Sequence, residues 1–241
     1  MSVIGLGTVL NAAGILLGGL LGMACGRFLS ERIQQTLNMA CGVSVLFLGI
    51  AGAMEGMLSI QDGALSSGGT MMIVGSLALG GLAGELIDLE RLFERFGQWL
   101  KVRTGNAREQ RFVEGFVTAS LTVCVGAMAI VGAIEDGMFG DWSILATKAV
   151  LDLIIVLVMT CSLGKGCLFS AIPVALLQGL VTALARFIRP VMTDAALANL
   201  STVGSILIFC VGLNLVWGKK IRVANLLPAV VFAVIFAFLP L

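Results

Sequence analysis

Seven stretches of this chain run for about the thickness of a lipid bilayer without a charged residue. They are residues 1–26, 33–54, 63–84, 115–134, 166–185, 195–218 and 223–241. A helix needs about 20 apolar residues to cross the hydrocarbon core, and it satisfies its own backbone hydrogen bonds there. The chain is 59% hydrophobic and 12% charged, whereas soluble domains have about 25% charged residues. We therefore predict an all-α fold, a polytopic transmembrane helical bundle that forms one membrane domain over residues 1–241.

The number of spans depends on two less regular stretches. Residues 142–164 are apolar apart from two charged residues, and counting them gives eight spans. Pro228 interrupts the last stretch, and without that stretch the count falls to seven. With eight spans, twelve lysines and arginines share one side of the membrane, and only Arg186 and Arg189 lie on the other. Because basic loops remain in the cytoplasm, both termini are predicted to be periplasmic or extracellular; seven spans would place the C terminus in the cytoplasm.

The composition argues against several classes of function. The net charge of +1 gives no reason to expect nucleic acid as a partner. The chain has no histidine, which is the commonest metal ligand and the usual general base near neutral pH. Its six cysteines show no CxxC spacing, and no phosphate-binding loop or nucleophile motif is present. We expect neither an enzyme nor a bound metal or cofactor.

Residues 86–111 form the longest polar segment. Apolar residues recur at helical spacing, with basic residues between them, at Leu89, Leu92, Phe93, Phe96 and Leu100. An amphipathic basic helix of this kind lies at a membrane surface, here on the side predicted to be cytoplasmic. A helical extension of the third span, packed on its neighbours, would give the same pattern.

Two parts of the chain resemble each other. Residues 16–22 read LLGGLLG and residues 78–84 read ALGGLAG, while residues 50–55 and 130–135 read IAGAME and IVGAIE. Residues 1–57 and 63–137 are therefore candidate tandem repeats of a helical hairpin. Internal repeats are the usual ancestry of transporter folds, whose binding sites lie at the repeat interface.

Glycine recurs every four residues along the first predicted span, at Gly14, Gly18, Gly22 and Gly26. Gly80 and Gly84 do the same on the third span. Faces without side chains allow two helix backbones to approach closely. The partner helix could belong to the same chain or to a second copy, so a homodimer through these glycine-rich faces is predicted as one alternative.

Lys148 and Asp152 are charged residues inside an otherwise apolar run. Their spacing of four places both on one helix face, with Asp152 near the middle of the span. A charge at the centre of a span costs about 2.5–3.5 kcal/mol on insertion scales, and such residues usually serve function. We predict a site for a substrate or a coupling ion, with Asp152 as the carrier of a proton or cation. The alternative is a buried ion pair that only fixes the packing.

Two acidic residues near this run, and one amide in the first span, are further candidates for the polar site. Glu135 and Asp136 end the fourth span, shortly before the charged one. Acidic turns are usually just solvated, but two carboxylates can also hold a hard cation through their oxygens. Asn11 is an amide within the first span, where hydrogen bonding between helices would also explain it.

Three more candidates lie in the fourth and sixth spans. Ser120 and Cys124 share one face of the fourth span with Met128, by their spacing of four. Gln178 lies midway along the sixth span, five residues after Pro173. A proline inside a helix is expected to kink it, and broken helices with polar midpoints form the binding sites of many transporters. Ordinary helix packing explains Ser120 and Cys124 equally well.

Several blocks of the sequence together resemble the YqgA/YdfK-like family of bacterial inner-membrane proteins. They are GLGTVLNAAGILLGGLLG, FVEGFVTASLTVCVGAMAIVGAIEDGMFGDW, FSAIPVALLQG and NLLPA. Family members usually carry a proline where this chain has Ala127. The resemblance implies the bacterial inner membrane and a family sometimes described as transport proteins, without a substrate. Its recurrent motif residues match Asn11, Ser120, Cys124, Glu135, Asp136, Gly137, Lys148, Asp152, Gln178 and Asn225.

The leading hypothesis is a secondary transporter or channel-like protein for a small solute or ion. Its polar site would contain Lys148, Asp152, Glu135 and Asp136, supported by Gln178 and Asn11. The alternative is a membrane scaffold or signalling partner that transports nothing. Its buried polar residues would only hold helices together, and the helix within residues 86–111 would be its contact surface.

Overall fold

The computed structural model describes residues 4–61, 63–124 and 126–239. The first three residues of the first predicted span and the last two of the final stretch lie outside this range. The longer helices are α1 (Leu6–Gly26), α2 (Glu31–Met57), α3 (Thr70–Ile87), α4 (Leu89–Arg103), α5 (Phe112–Cys124), α6 (Ala127–Phe139), α7 (Ser143–Leu163), α8 (Ala171–Ala183) and α10 (Asp194–Trp217). The shorter elements are strands β1 (Leu58–Gln61) and β2 (Ala64–Ser67), a 3₁₀ segment (Lys165–Ser170), and helices α9 (Ala185–Ile188), α11 (Val223–Leu226) and α12 (Pro228–Phe236).

The predicted class, a helical membrane protein, is confirmed. Within the described residues, six helical segments are long and apolar enough to cross a bilayer, and α5 with α6 makes a seventh when the pair is counted as one span. The helices from Val223 to Phe236 are apolar but shorter. The eighth span therefore stays a prediction.

The fourth predicted span is not one straight helix. It consists of α5 and α6, which are bent by 63° relative to each other. Gly126, at the junction, has a φ of +143°, which glycine adopts readily and other residues rarely do. The bend therefore forms in a chain that has alanine at position 127, where the resemblance implies a proline.

A break in the helix precedes the sixth predicted span. Gly164 has a φ of +88° and ends α7, and the 3₁₀ segment leads from there into α8. Pro173 lies in the first turn of α8, where a missing N–H leaves no helical hydrogen bond unmade. The kink predicted at Pro173 stays a prediction.

The third predicted span starts later than expected. Residues 64–67, which we had included in it, form β2 and pair with β1 in an antiparallel hairpin. Gly63, with a φ of +78°, lies in the turn between the strands. Glycine at such a position suits the tight turns of hairpins.

The chain divides into two compact units. Unit 1 comprises Met1–Cys41, Arg91–Cys124 and Met128–Arg189, and unit 2 comprises Gly42–Glu90, Val125–Ala127 and Pro190–Leu241. The predicted repeats, residues 1–57 and 63–137, each contribute to both units, and they remain a prediction.

In unit 1, α1 and α7 pack side by side and run in the same direction. Three glycines of α1 lie against α7 carbonyl groups that are also four residues apart: Gly14 against Ala149, Gly18 against Leu153 and Gly22 against Leu157. A Cβ atom added at Gly18 would lie 2.3 Å from the Leu153 carbonyl oxygen. The glycine face of α1 is therefore buried within the chain, as close packing requires.

In unit 2, α3 packs in the opposite direction against the last two helices. Gly80 lies against Ala229 of α12, and Gly84 lies against Asn225 of α11. The second glycine-rich face is thus also covered by the same chain. These glycines therefore contact helices of the same chain, and a homodimer stays a prediction.

Helix α4 is separated from α3 by Asp88, which has a positive φ of 56°. Gly97 of α4 lies against Phe116, and Leu100 is buried. Leu92 and Trp99 of the same helix are more than half exposed. The helix is therefore apolar on two faces, one packed on α5 and one open to its surroundings.

Candidate functional site

All eight residues predicted for the polar site belong to unit 1. The centre of the site is the pair on α7. The Lys148 ammonium group donates hydrogen bonds to both oxygens of the Asp152 carboxylate, at 2.9 Å to Oδ1 and 2.8 Å to Oδ2. The two side chains are only 9% and 3% exposed. The predicted i,i+4 contact is thus formed, in a span that is otherwise apolar.

Helix α1 brings Asn11 to this pair. Its side chain is fully buried and lies close enough to the Asp152 carboxylate to interact with it. Neither the oxygen nor the nitrogen of the amide completes a hydrogen bond of acceptable geometry within the protein. The close glycine packing of α1 on α7 is what allows this short side chain to reach Asp152.

Helix α5 ends next to the same charges. The half-buried Cys124 lies close enough to interact electrostatically with both Lys148 and Asp152. Ser120, one turn earlier, is buried, and its hydroxyl has no hydrogen-bond partner among the residues that the structure describes. Met128 does not continue this face, because the chain bends after Cys124, and it is 40% exposed. The predicted face therefore holds Ser120 and Cys124 only.

Asp136 lies at a different place, at the start of α1. Its fully buried carboxylate accepts hydrogen bonds from the N–H groups of Gly5, at 3.1 Å, and Gly7, at 3.0 Å. The first N–H groups of a helix have no partner within the helix, and a negative charge there is favourable. Asp136 thus anchors α1 from α6, a contribution of about 1–2 kcal/mol for a helix cap.

Glu135 is half-buried on α6, beside Asp136. Within the described residues its carboxylate makes neither a hydrogen bond nor an ion pair. The two neighbouring carboxylates thus differ, since one is bound to α1 and the other is unpaired.

Unit 1 also contains a set of buried polar side chains without partners. Within the described residues these are Thr8, Asn11, Ser120, Thr160, Gln178 and Thr182. Gln178, on α8, is 1% exposed, and α8 packs against both α1 and α5. Most buried polar groups in proteins are hydrogen-bonded, and an unsatisfied one costs about 1–3 kcal/mol. Buried water commonly satisfies polar groups of this kind, so this unit contains a polar set that water or a polar ligand can hydrogen-bond.

The sequence interpretation missed the three threonines in this set. Thr160 lies eight residues after Asp152 on α7, and Thr8 lies three residues before Asn11 on α1. Helical spacing therefore places each on nearly the same face as a residue that was predicted. This spacing was visible in the sequence, but threonine is too common in spans to stand out alone.

Unit 2 satisfies its polar groups in a different way. Asn225 accepts a hydrogen bond from the Glu90 backbone N–H at 2.7 Å and donates one to Glu85. The Glu90 carboxylate accepts from the Ala224 backbone N–H at 3.0 Å and pairs with Lys219 at 2.9 Å. Within the described residues of this unit, only Ser76 retains a buried polar atom without a partner. Asn225, an amide noted in the sequence, is thus part of a closed network.

The exposed turn before α7 contains Asp141, whose carboxylate is hydrogen-bonded to the backbone. The Ser143 backbone N–H donates a hydrogen bond to the Asp141 carboxylate at 2.9 Å. This bond stabilises the charged form and holds the pKa of Asp141 below its usual value. Asp141 offers an exposed carboxylate for comparison with the buried Asp152.

Comparison with known proteins gives a family match over almost the whole chain. Residues 6–238 match the family described as "Protein of unknown function (DUF554)". The "Uncharacterized protein YqgA" of Escherichia coli (strain K12) is 30% identical over 232 residues, which cover 95% of this chain and 94% of the relative. The "Uncharacterized membrane protein YdfK" of Bacillus subtilis (strain 168) is 29% identical over 237 residues, or 96% and 97% of the two chains. No solved structure matches. The resemblance stated from the sequence is confirmed.

Proposed function

The chain belongs to the DUF554 family of proteins of unknown function, and we propose that it is a secondary transporter or channel-like protein for a small solute or ion. The observation that carries the proposal is the combination found in unit 1. A buried ion pair lies in a spanning helix, and within the described residues several buried polar side chains of the same unit complete no hydrogen bond of acceptable geometry. Groups of this kind bind water, ions or polar ligands.

A gain in folding stability does not explain why a protein contains a buried ion pair of this kind. Removing two charges from water costs several kcal/mol per ion, and hydrophobic residues of similar volume often hold a fold equally well or better. A chain selected only for packing would gain from apolar residues at positions 148 and 152. The retained charges therefore favour a role in binding or proton transfer.

The geometry suggests a role for each residue. Asp152 is the proton or cation carrier, and Lys148 is its counter-charge when no cation is bound. Asn11 and Cys124, which approach the pair from α1 and α5, contribute polar surface beside the carrier. Asp136 holds the start of α1 in place, because both its oxygens accept hydrogen bonds from N–H groups there.

We also propose a cellular location and a membrane orientation for the protein. The relative from Bacillus subtilis is a membrane protein by name, and we place this chain in the bacterial inner membrane with both termini outside the cytoplasm. The protein catalyses no reaction in this account. A homodimer would pair through surfaces other than the two covered glycine faces.

A scaffold or signalling partner is the second candidate. The exposed side chains of Leu92 and Trp99 on α4, which are 57% and 55% exposed, are the observation that favours it. In that account α4 contacts a partner or the membrane surface, and the polar core of unit 1 stays dry. Access of water to Asp152 separates the two accounts.

Transport is tested with purified protein in proteoliposomes that contain a pH-sensitive dye. Gradients of alanine, succinate or potassium chloride serve as probes, each with and without an imposed pH gradient. We expect proton movement that depends on at least one probe and that falls about tenfold or more in Asp152→Asn, since an amide cannot carry the proton. Asp141→Asn is the matched control, because this exposed carboxylate lies outside the site.

Equal proton movement in the Asp152→Asn and Asp141→Asn variants would contradict the role given to Asp152. Insertion and folding of both variants are checked by their elution as single species in detergent.

A further inference from the structure

A cavity of about 550 Å³ lies in unit 1, away from the ion pair. It is bounded by the C-terminal turns of α1 and α7, the start of α2, the loop before α5, and the start of the 3₁₀ segment. Six charged residues line it: Arg27, Glu31, Arg108, Glu109, Arg111 and Lys165. Its volume falls within the range of known small-ligand sites, about 300–1,000 Å³.

The cavity has a net positive charge, since four of its lining residues are basic and two are acidic. Lys165 and Glu109 are only loosely paired, at 3.7 Å. Within the described residues, Arg27 and Arg108 form neither a hydrogen bond nor an ion pair through their side chains. Two guanidinium groups are thus available to a ligand.

A third arginine is held in position by the protein. The Arg111 guanidinium group donates a hydrogen bond to the Ser162 carbonyl oxygen at 3.4 Å, at the end of α7. A guanidinium group has five N–H donors in a planar fork, so this single bond leaves most of them available. Arg111 is therefore oriented toward the cavity before a ligand arrives.

The cavity wall also contains an unsatisfied polar group. Thr160 lines the cavity and is 3% exposed, and within the described residues its hydroxyl completes no hydrogen bond of acceptable geometry, although it lies close to the Cys167 thiol. A hydroxyl can donate to an anionic oxygen. A buried donor in the wall of a cavity that also contains two unpaired guanidinium groups suits an oxyanion.

We propose that this cavity binds a phosphate-bearing anion through Arg27, Arg108, Arg111 and Thr160. Arginine suits phosphate because its fork matches two phosphate oxygens at once. The cavity lies at the ends of two spanning helices, where lipid headgroups also lie. The phosphate therefore comes either from an acidic phospholipid or from a soluble molecule, and the site does not depend on transport through unit 1.

The test measures the thermal unfolding midpoint of the full chain in a neutral detergent. One arm adds inorganic phosphate or pyrophosphate, and the other adds phosphatidylglycerol or cardiolipin, with bound lipid counted by native mass spectrometry. A ligand that binds only the folded state raises this midpoint. We expect one arm to raise it in the native protein, and the effect to weaken at high salt.

Arg27→Gln and Arg108→Gln should each weaken binding about tenfold, the loss of a charge-assisted contact of about 1.4 kcal/mol. Arg103→Gln is the matched control, because it removes the same charge from the neighbouring α4, outside the cavity. Glu109→Gln should strengthen binding, since it removes an acidic residue and releases Lys165. A gain of affinity cannot arise from misfolding.

A response only to phosphate or pyrophosphate supports a soluble anion, and a response only to phosphatidylglycerol or cardiolipin supports a lipid headgroup. The proposal is overturned if neither probe binds. It is also overturned if Arg103→Gln weakens binding as much as Arg27→Gln and Arg108→Gln do, because the effect would then come from general basic charge.

Discussion

Asp152→Ala is expected to destabilise the protein by about 3–5 kcal/mol, because it leaves the Lys148 ammonium group buried without a counter-charge. Both side chains are almost fully buried, and each Asp152 oxygen accepts a hydrogen bond from Lys148. The measurement is the free energy of unfolding in mixed micelles with increasing SDS. Asp141→Ala is the matched control, and we expect it to have a small effect, since this carboxylate is exposed.

The double variant Lys148→Met/Asp152→Leu gives the sharper result. It removes both charges and fills the same volume with apolar atoms, so its stability should lie within about 1 kcal/mol of the native protein or above it. If the double variant were as unstable as Asp152→Ala, the pair would be required for folding. The charges at positions 148 and 152 would then give no support to a function in binding or proton transfer.

Gly18→Ala is expected to cost about 3 kcal/mol. A Cβ at this position would lie 2.3 Å from the Leu153 carbonyl oxygen, and a backbone atom cannot move away without separating α1 from α7. Overpacking of this kind typically costs about 1–3 kcal/mol, and a contact with rigid backbone falls at the upper end. The free energy of unfolding is again the quantity measured.

Gly179→Ala provides the matched control for this glycine. It makes the same chemical change in α8 of the same unit, but no atom lies within 4 Å of the added Cβ. Alanine favours a helix over glycine by about 1 kcal/mol, so this variant should be as stable as the native protein or more so. Equal losses in the two variants would contradict the close contact between α1 and α7.

The class of the fold and the centre of the site followed from local features of the sequence. Uncharged runs of bilayer length define spanning helices because hydrocarbon excludes other backbone structures. Lys148 and Asp152 were predictable as a contact because their spacing of four joins them on one helix. The glycine spacing on α1 also predicted a close helix partner.

The identity of that partner could not be predicted. The contact of α1 with α7 joins residues about 135 positions apart, such as Gly14 and Ala149, and no local pattern encodes this choice. The bend after Cys124 was missed for a similar reason. Gly126 is one of many glycines in apolar runs, and only the folded chain shows that its φ is positive.

The role of Asp136 also depended on tertiary structure. In the sequence it is part of an acidic turn, beside Glu135, and the two carboxylates looked equivalent. The structure separates them, because only Asp136 reaches the N–H groups of Gly5 and Gly7. A residue that binds α1 and a residue that is unpaired cannot be told apart from composition.

The central claim is that water reaches Asp152, and cysteine labelling tests it most directly. The six native cysteines are replaced and Asp152→Cys is introduced together with Lys148→Met, so that no buried charge remains unpaired. A small thiol reagent that cannot cross membranes is then added from each side. Ile154→Cys is the control, because this side chain is 54% exposed on the outer surface of α7 and would face hydrocarbon.

We predict rapid labelling at position 152 from at least one side and none at position 154. This result would establish a hydrated pathway to the middle of the span. A folded, correctly inserted protein that stays unlabelled at position 152 from both sides would contradict the transport account and favour a dry, structural ion pair.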